Sequence, residues 1–482
     1  MAGTFGANVQ DRWVTYEGDS QAKAVLEKGT GNPLFFVRMA SASDVADGAA
    51  QARTAQEAWF SRPFEDRATV LRKAADLIEK DRNFYVDWIV RETGSVPAKA
   101  EFEIVVVIRA LREAAAMPSQ PQGLVLPTEP GKLSFCRRMP LGVVGVISPF
   151  NFPMYLSMRA VAPALAVGNA VILKPDPRTT ATGGLLIGSL FASAGLPDGV
   201  LQVLPGEAEA GEAMCTDPNV AMIQFTGSTG VGRRIGALAG GHLKKVSLEL
   251  GGKNSLIVLD DADLELAAAN AAWASFLHQG QICMAAGRIL VQRSVHDQLA
   301  ELIARKAEAL PVGDPAREQT ALGPLINATQ AERAHGIVAD TIAAGAILAA
   351  GGDLVDAYLK PAVLTGVTPK MRAFHEEIFG PVAVLVPFDS DEEAIALAND
   401  TEYGLSAGII SRSVGRAMRL GARLRTGLLH INDQTVGDEV VNPFGGRGQS
   451  GNGTSIGGPA NWDEFSQWQW VTVRDVAPAY PF

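Results

Sequence analysis

Apolar residues recur along the chain at two different spacings. Over residues 41–117 the spacing is helical, as in Ala50-Gln51-Ala52-Arg53-Thr54-Ala55-Gln56 and in the longer run at 68–78. From Leu141 onward, short β-branched runs bounded by glycine, proline or asparagine take over, at 142–147, 170–173, 200–203 and 221–225. Helical stretches lie between them, 157–167 being the clearest. Strands alternating with helices predict a doubly wound, mostly parallel α/β sheet, which binds ligands at the carboxyl ends of its strands. A second α/β half begins near Gly252, with strands predicted at 255–259, 289–291, 383–386 and 407–410 and a helix at 264–277. Two further stretches, 132–138 and 467–473, alternate bulky and polar residues as exposed strands do. Each is left over in its own half, which predicts pairing outside the domain and hence an oligomer.

Composition narrows the class. The 482 residues are 47% apolar and 20% charged, a soluble globular balance with room for two or three domains. A net charge of -10 argues against nucleic acid or an anionic membrane as main partner. No apolar run approaches the length of a membrane span, and the opening Met1-Ala2-Gly3-Thr4 soon gives way to charge, unlike a signal peptide. The cysteines Cys136, Cys215 and Cys283 cannot form a disulfide framework, so a reducing, cytoplasmic setting is expected. The histidines are scattered without HExxH, and no CxxC occurs, so no metal site is expected.

The chemistry centres on Cys283, in Gln281-Ile282-Cys283-Met284, and on Glu249, in Glu249-Leu250-Gly251-Gly252-Lys253-Asn254. A thiol has a pKa of about 8.5 and is mostly protonated at neutral pH, so a nucleophilic cysteine needs a proton acceptor such as a carboxylate. Local sequence alone equally allows a buried cysteine and a strand-ending glutamate. Phe225-Thr226-Gly227-Ser228-Thr229-Gly230-Val231-Gly232 reads as a strand-to-helix turn suited to an anion. Its spacing is not GxGxxG. Asn151, within Ser148-Pro149-Phe150-Asn151-Phe152-Pro153, suits either an oxyanion donor or a helix cap. Lys174 stands where the next strand ends, either to meet a cofactor hydroxyl or merely exposed.

Taken together and in order, these motifs resemble the aldehyde dehydrogenase superfamily, from about residue 20 to residue 473. Glu376-Glu377-Ile378-Phe379-Gly380-Pro381-Val382 and Asn442-Pro443-Phe444-Gly445-Gly446-Arg447-Gly448-Gln449-Ser450-Gly451 extend the match. The resemblance implies a Rossmann-type cofactor domain (residues 1–118 and 140–251) and an α/β catalytic domain (252–440). A small oligomerisation β-element (119–139 and 441–482) would join chains into a homodimer or homotetramer. It implies that Cys283 attacks an aldehyde and that Asn151 and the Cys283 backbone N–H hold the oxyanion. Hydride would then pass to NAD or NADP, and Glu249 would activate water against the thioester. Lys174 joins this set by contacting the adenosine ribose. Ser228 and Gly227 would meet the pyrophosphate, Glu377 the nicotinamide ribose and Phe379 the nicotinamide end. Ile147, Ser148, Phe150, Gly206, Phe225, Val231, Leu250 and Gly251 would complete the cofactor wall.

Two departures from the family pattern matter. Pro177, followed by Arg178, stands where NAD-preferring relatives commonly carry glutamate, so both cofactors are expected to serve. The stretch Asn452-Gly453-Thr454-Ser455-Ile456-Gly457 lacks the second acidic residue of some relatives, leaving Glu249 to serve alone. The substrate entrance would be lined by Phe152, Tyr155, Leu156, Arg159, Leu277, Ile282, Met284 and Phe444, a mixture suited to a flat apolar aldehyde. The stretch at 430–439 resembles that of bacterial benzaldehyde and vanillin dehydrogenases, which implies an aromatic aldehyde. The alternatives are a semialdehyde or aliphatic aldehyde, with Arg159 as the candidate cation for a distal carboxylate, and a coenzyme A-acylating enzyme, a class that commonly lacks the general-base glutamate.

Overall fold

Two parallel sheets meet at the ends of their strands and carry the site between them. The computed structural model of the protein describes Phe5 and residues 12–482. The first sheet runs Lys245–Glu249, Val220–Thr226, Val143–Ile147, Ala170–Lys174, Leu201–Val203, every neighbour parallel. Val143–Ile147 and Ala170–Lys174 are buried at every position, as central parallel strands covered on both faces must be. The long helices Ala42–Phe60, Phe64–Lys80 and Pro97–Ala116 and the apolar helix Pro153–Val167 provide cover from the same core.

The second sheet has seven strands, with Ser255–Val258 and Arg288–Gln292 central and Leu428–Ile431 at one edge. Only Ile347–Ala350, at the other edge, runs antiparallel. Strands Ala22–Leu26 and Pro33–Arg38 form a small antiparallel sheet with Val14–Thr15 that the apolar pattern did not announce, because neither has a clean period-two alternation. Among the described residues no helix is long and apolar enough to cross a membrane.

The two exposed strands pair with each other: Ser466–Val473 runs antiparallel to Leu133–Pro140 over its full length, and Gly123–Val125 adds a third strand. Segments separated by most of the chain close this sheet, a pairing that alternation alone cannot specify. What remains exposed is an apolar face carrying Leu124, Trp468 and Trp470.

Candidate active site

Asn151 occupies the turn between Val143–Ile147 and the helix Pro153–Val167, which starts with proline, the residue best suited to the first helical position. Glu103 satisfies the open helix end, accepting from the Met154 and Tyr155 N–H groups at 2.9 and 3.1 Å. Lys99 neutralises Glu103 at 2.6 Å, donates to the Asn151 carbonyl at 2.7 Å and lies 4.1 Å from the Phe152 ring centre. With the cap supplied by Glu103, the Asn151 amide turns away from its helix and donates to the Gln281 carbonyl at 2.9 Å. An amide has two N–H groups, so a second is left for a ligand. The pair Lys99–Glu103 is fully buried, and removing one partner strands the other charge. Lys99→Met is therefore expected to lower unfolding stability by about 3 kcal/mol in urea titrations.

The nucleophile loop is held by backbone that few residues tolerate. His278 and Gln279 have φ of 49° and 55°, and Gly280 follows at 68°. A side chain at Gly280 would come within 2.1 Å of the Gly380 carbonyl, so glycine is required there. Asn254 donates to the Cys283 and Ala285 carbonyls, both at 2.8 Å, and the Thr435 hydroxyl donates to Met284 O at 2.7 Å. His278 is buried edge-on against Phe152 and makes no side-chain hydrogen bond, and burial holds it well below its usual pKa. It is a neutral packing residue.

Glu249 ends the strand Lys245–Glu249, and the two glycines beyond Leu250 let the rest of the site close onto it. A Cβ at Gly251 would lie 2.4 Å from the Glu377 carboxylate, and one at Gly252 would lie 2.7 Å from the Cys283 carbonyl. Glu377 in turn accepts from the Gly252 N–H at 3.1 Å, and burial pushes its carboxyl up to about 7. Both Glu249 oxygens are buried without partners. Burial raises that carboxyl to about 8, Arg159 opposing the shift and Asp438 and Glu464 adding to it. Burial likewise pushes the Cys283 thiol up to about 12. A thiol this weakly acidic is no resting thiolate.

Two cavities converge on these groups. One, a cleft of about 2040 Å³, is lined by Ile147, Ser148, Phe150, Lys174, Phe225, Gly227, Ser228, Val231, Gly251, Glu377 and Phe379. The other, a chamber of about 690 Å³, is lined by Phe152, Tyr155, Arg159, Ile282, Met284 and Phe444. Asn151, Leu156, Thr226, Glu249, Leu250 and Cys283 belong to both walls. Two expected residues fall outside. Gly206 stands behind Lys174, whose ammonium donates to its carbonyl at 2.7 Å, and Leu277 packs in the cluster beneath Ile282 and Met284.

The cleft fits a dinucleotide. It reaches from the Lys174 end, past the turn at Gly227 and Ser228 that opens the helix Thr229–Gly241, to Glu377 and Cys283. The Lys174 end is not free of carboxylates, as counting to Pro177 suggested. Asp176 and Glu207 also line it. Asp176 is turned inward by Arg178, which binds it through its backbone N–H at 2.9 Å and its guanidinium at 2.8 and 2.7 Å. That guanidinium also lies 4.2 Å from the Phe150 ring centre.

In the smaller chamber the one arginine is already engaged. Arg159 pairs with Asp438 at 3.2 Å and lies 4.1 Å from the Phe444 ring centre, and the Tyr155 hydroxyl donates to the same carboxylate at 3.0 Å. Asp438, together with Lys99 and Glu103, was not singled out from the sequence. A buried arginine facing an acidic loop was the available signal for Asp438.

A cysteine with a buried carboxylate, an amide beside it and a dinucleotide-sized cleft define a thiol-dependent oxidoreductase site. The sequence profile of the Aldehyde dehydrogenase family matches residues 13–471, and the chain belongs to that family. It is 52% identical over 460 residues to a vanillin dehydrogenase of Amycolatopsis sp., covering 95% of both chains. To a benzaldehyde dehydrogenase [NAD(+)] of Pseudomonas putida it is 48% identical, covering 99% of this chain and 98% of the relative. Among solved structures, a salicylaldehyde dehydrogenase from Pseudomonas putida G7 complexed with salicylaldehyde superposes with a TM-score of 0.93 at 34% identity, covering 98% of this chain and 99% of that one.

Proposed function

We propose that this enzyme oxidises an aromatic aldehyde of the benzaldehyde or vanillin type to its carboxylic acid. The observation that carries the reading is the chamber ending at Cys283: aromatic and aliphatic walls, with its only arginine neutralised by Asp438. The similar vanillin and benzaldehyde dehydrogenases support it. Cys283 attacks the aldehyde carbon, its proton passing to Glu249 as the carbon–sulfur bond forms. The oxyanion is received by the second Asn151 N–H and the Cys283 backbone N–H. A bound nicotinamide dinucleotide supplies the hydride acceptor. Lys174, Gly227, Ser228, Glu377 and Phe379 would hold and orient it along the cleft, with Leu250 and Gly251 in the same wall. The resulting thioester is hydrolysed by water whose proton goes to Glu249, and the carbon–sulfur bond breaks to return the thiol.

Both NAD and NADP are accepted in this reading, since Arg178 offsets Asp176 where a 2′-phosphate would lie. The residue ranges 1–118 with 140–251, 252–440, and 119–139 with 441–482 correspond to cofactor, catalytic and assembly parts. The exposed apolar strip on the three-stranded sheet serves a homodimer or homotetramer of a cytoplasmic enzyme. A semialdehyde would bring a distal carboxylate into a chamber with no free cation. Leaving such a charge unpaired costs about 3 kcal/mol, so succinic semialdehyde is expected to trail benzaldehyde and vanillin by about 100-fold in kcat/KM. NADH and NADPH formation at 340 nm across these substrates and hexanal tests this. Faster turnover of succinic semialdehyde overturns the substrate reading, and a thousand-fold preference for NAD overturns dual cofactor use.

A further inference from the structure

Glu249 is needed twice in each turnover. It takes the thiol proton when Cys283 attacks, and it must lose that proton before it can accept another from water. One proton therefore has to leave a carboxyl that is buried on both oxygens. Side chains alternate faces along a strand, so Lys245, Ser247 and Glu249 share one face of Lys245–Glu249. The opposite face carries Leu248, which packs against the helix Thr229–Gly241 at Gly236. Ser247 is fully buried, and its hydroxyl lies 3.2 Å from that of Thr454, which donates to Asn452 at 2.7 Å. Beyond them, on the short helix Ala460–Phe465, stands Glu464. It is 5% exposed, and one carboxylate oxygen has no hydrogen-bond partner. Lys245 Nζ lies 3.9 Å from that oxygen, and the lysine side chain is 31% exposed. Lys245, Ser247 and Glu249 thus give the strand one polar face, and Glu464 with the part-exposed Lys245 stands at its outer end.

We propose that the proton gathered by Glu249 during acylation leaves along this face, past the Ser247 and Thr454 hydroxyls, to Glu464 and from there to solvent beside Lys245. Glu464 would then supply the second carboxylate that the stretch at 452–457 lacks. The groups around it are suited to proton exchange. Burial raises its carboxyl, Lys245 opposes that shift and Asp463 adds to it. Arg138, from the strand Leu133–Pro140, pairs with Asp463 and so restrains that neighbour's charge. Lys245 also donates to the Glu464 carbonyl at 2.5 Å, which fixes the lysine beside the carboxyl.

The inference rests on the reading of the reaction as acylation followed by thioester hydrolysis, and the two are tested apart. With enzyme in excess over benzaldehyde, NADH formation in one turnover reports acylation, and steady-state kcat includes proton release and hydrolysis. Glu464→Gln is expected to keep the single-turnover rate and to lose at least about tenfold in kcat, as when a proton-transfer group is removed. Ser247→Ala, which removes a hydroxyl and no charge, should show the same split, and it decides the matter should Glu464→Gln fail to fold. A kcat within twofold of wild type overturns the proposal. So does a parallel loss of the single-turnover rate, which would mark a structural role. Absence of NADH formation by the wild-type enzyme would instead overturn the underlying reaction.

Discussion

Cys283→Ala is expected to abolish aldehyde oxidation while leaving fold and dinucleotide binding intact. The residue has two separable roles. Its backbone is fixed by Asn254, and that bond is to a carbonyl, which alanine retains. In the proposed reaction its sulfur is the atom that becomes bonded to substrate, and nothing else on the wall shared by the two cavities is a nucleophile of comparable strength. A loss of at least about 10⁴-fold in kcat/KM is expected, the order seen when a covalent nucleophile is removed. Fluorescence titration with NADH should give an unchanged Kd, and the melting temperature should stay within a few degrees. Residual oxidation at a tenth of the wild-type rate would overturn the mechanism.

Glu249→Gln is expected to cost about 10² to 10⁴-fold in kcat, the range for loss of a general base, and also to change the shape of the pH profile. The sign follows from burial. The carboxyl is raised to about 8, so below that pH the neutral acid predominates, and a neutral acid cannot accept a proton. Wild-type activity should fall about tenfold per unit as pH drops below this value and level off above it. Cys283 contributes no limb in this range, because its thiol stays protonated up to about 12. Glutamine has no such ionisation, so the variant should lose the limb near pH 8 and keep only what Glu377, raised to about 7, imposes. A limb near pH 8 retained in the variant would assign that titration to another group.

Much of this was legible in the chain. The alternation of β-branched runs with helical stretches located the strands of both parallel sheets, because central strands covered on both faces must be continuously apolar. The reacting groups were legible because each sits on a turn with local requirements. Glycine at 251 and 252 permits approach to Glu377 and to the Cys283 loop, and proline at 153 starts a helix beyond Asn151. Such constraints act over a few residues and leave their mark in a few residues.

The tertiary structure decided what depends on distant segments meeting. Lys99 and Glu103, on the helix Pro97–Ala116, hold the Asn151 turn from 52 residues away, and no spacing announces that. Asp438 neutralises Arg159 only because the loop carrying it folds over the chamber, which turns a candidate carboxylate receptor into part of a neutral wall. Asp176 lines the cofactor cleft with Arg178 bound to it, and Leu277 packs with Ile282 and Met284. The two exposed strands at 133–140 and 466–473 found each other. Sequence by itself determined the fold class, which rests on periodicity, and the family, which rests on short motifs in order; the proposed nucleophile and base follow from that resemblance. Charge pairing and edge pairing were left to the tertiary structure, because a buried charge or an open strand edge requires a partner without specifying where in the chain that partner lies.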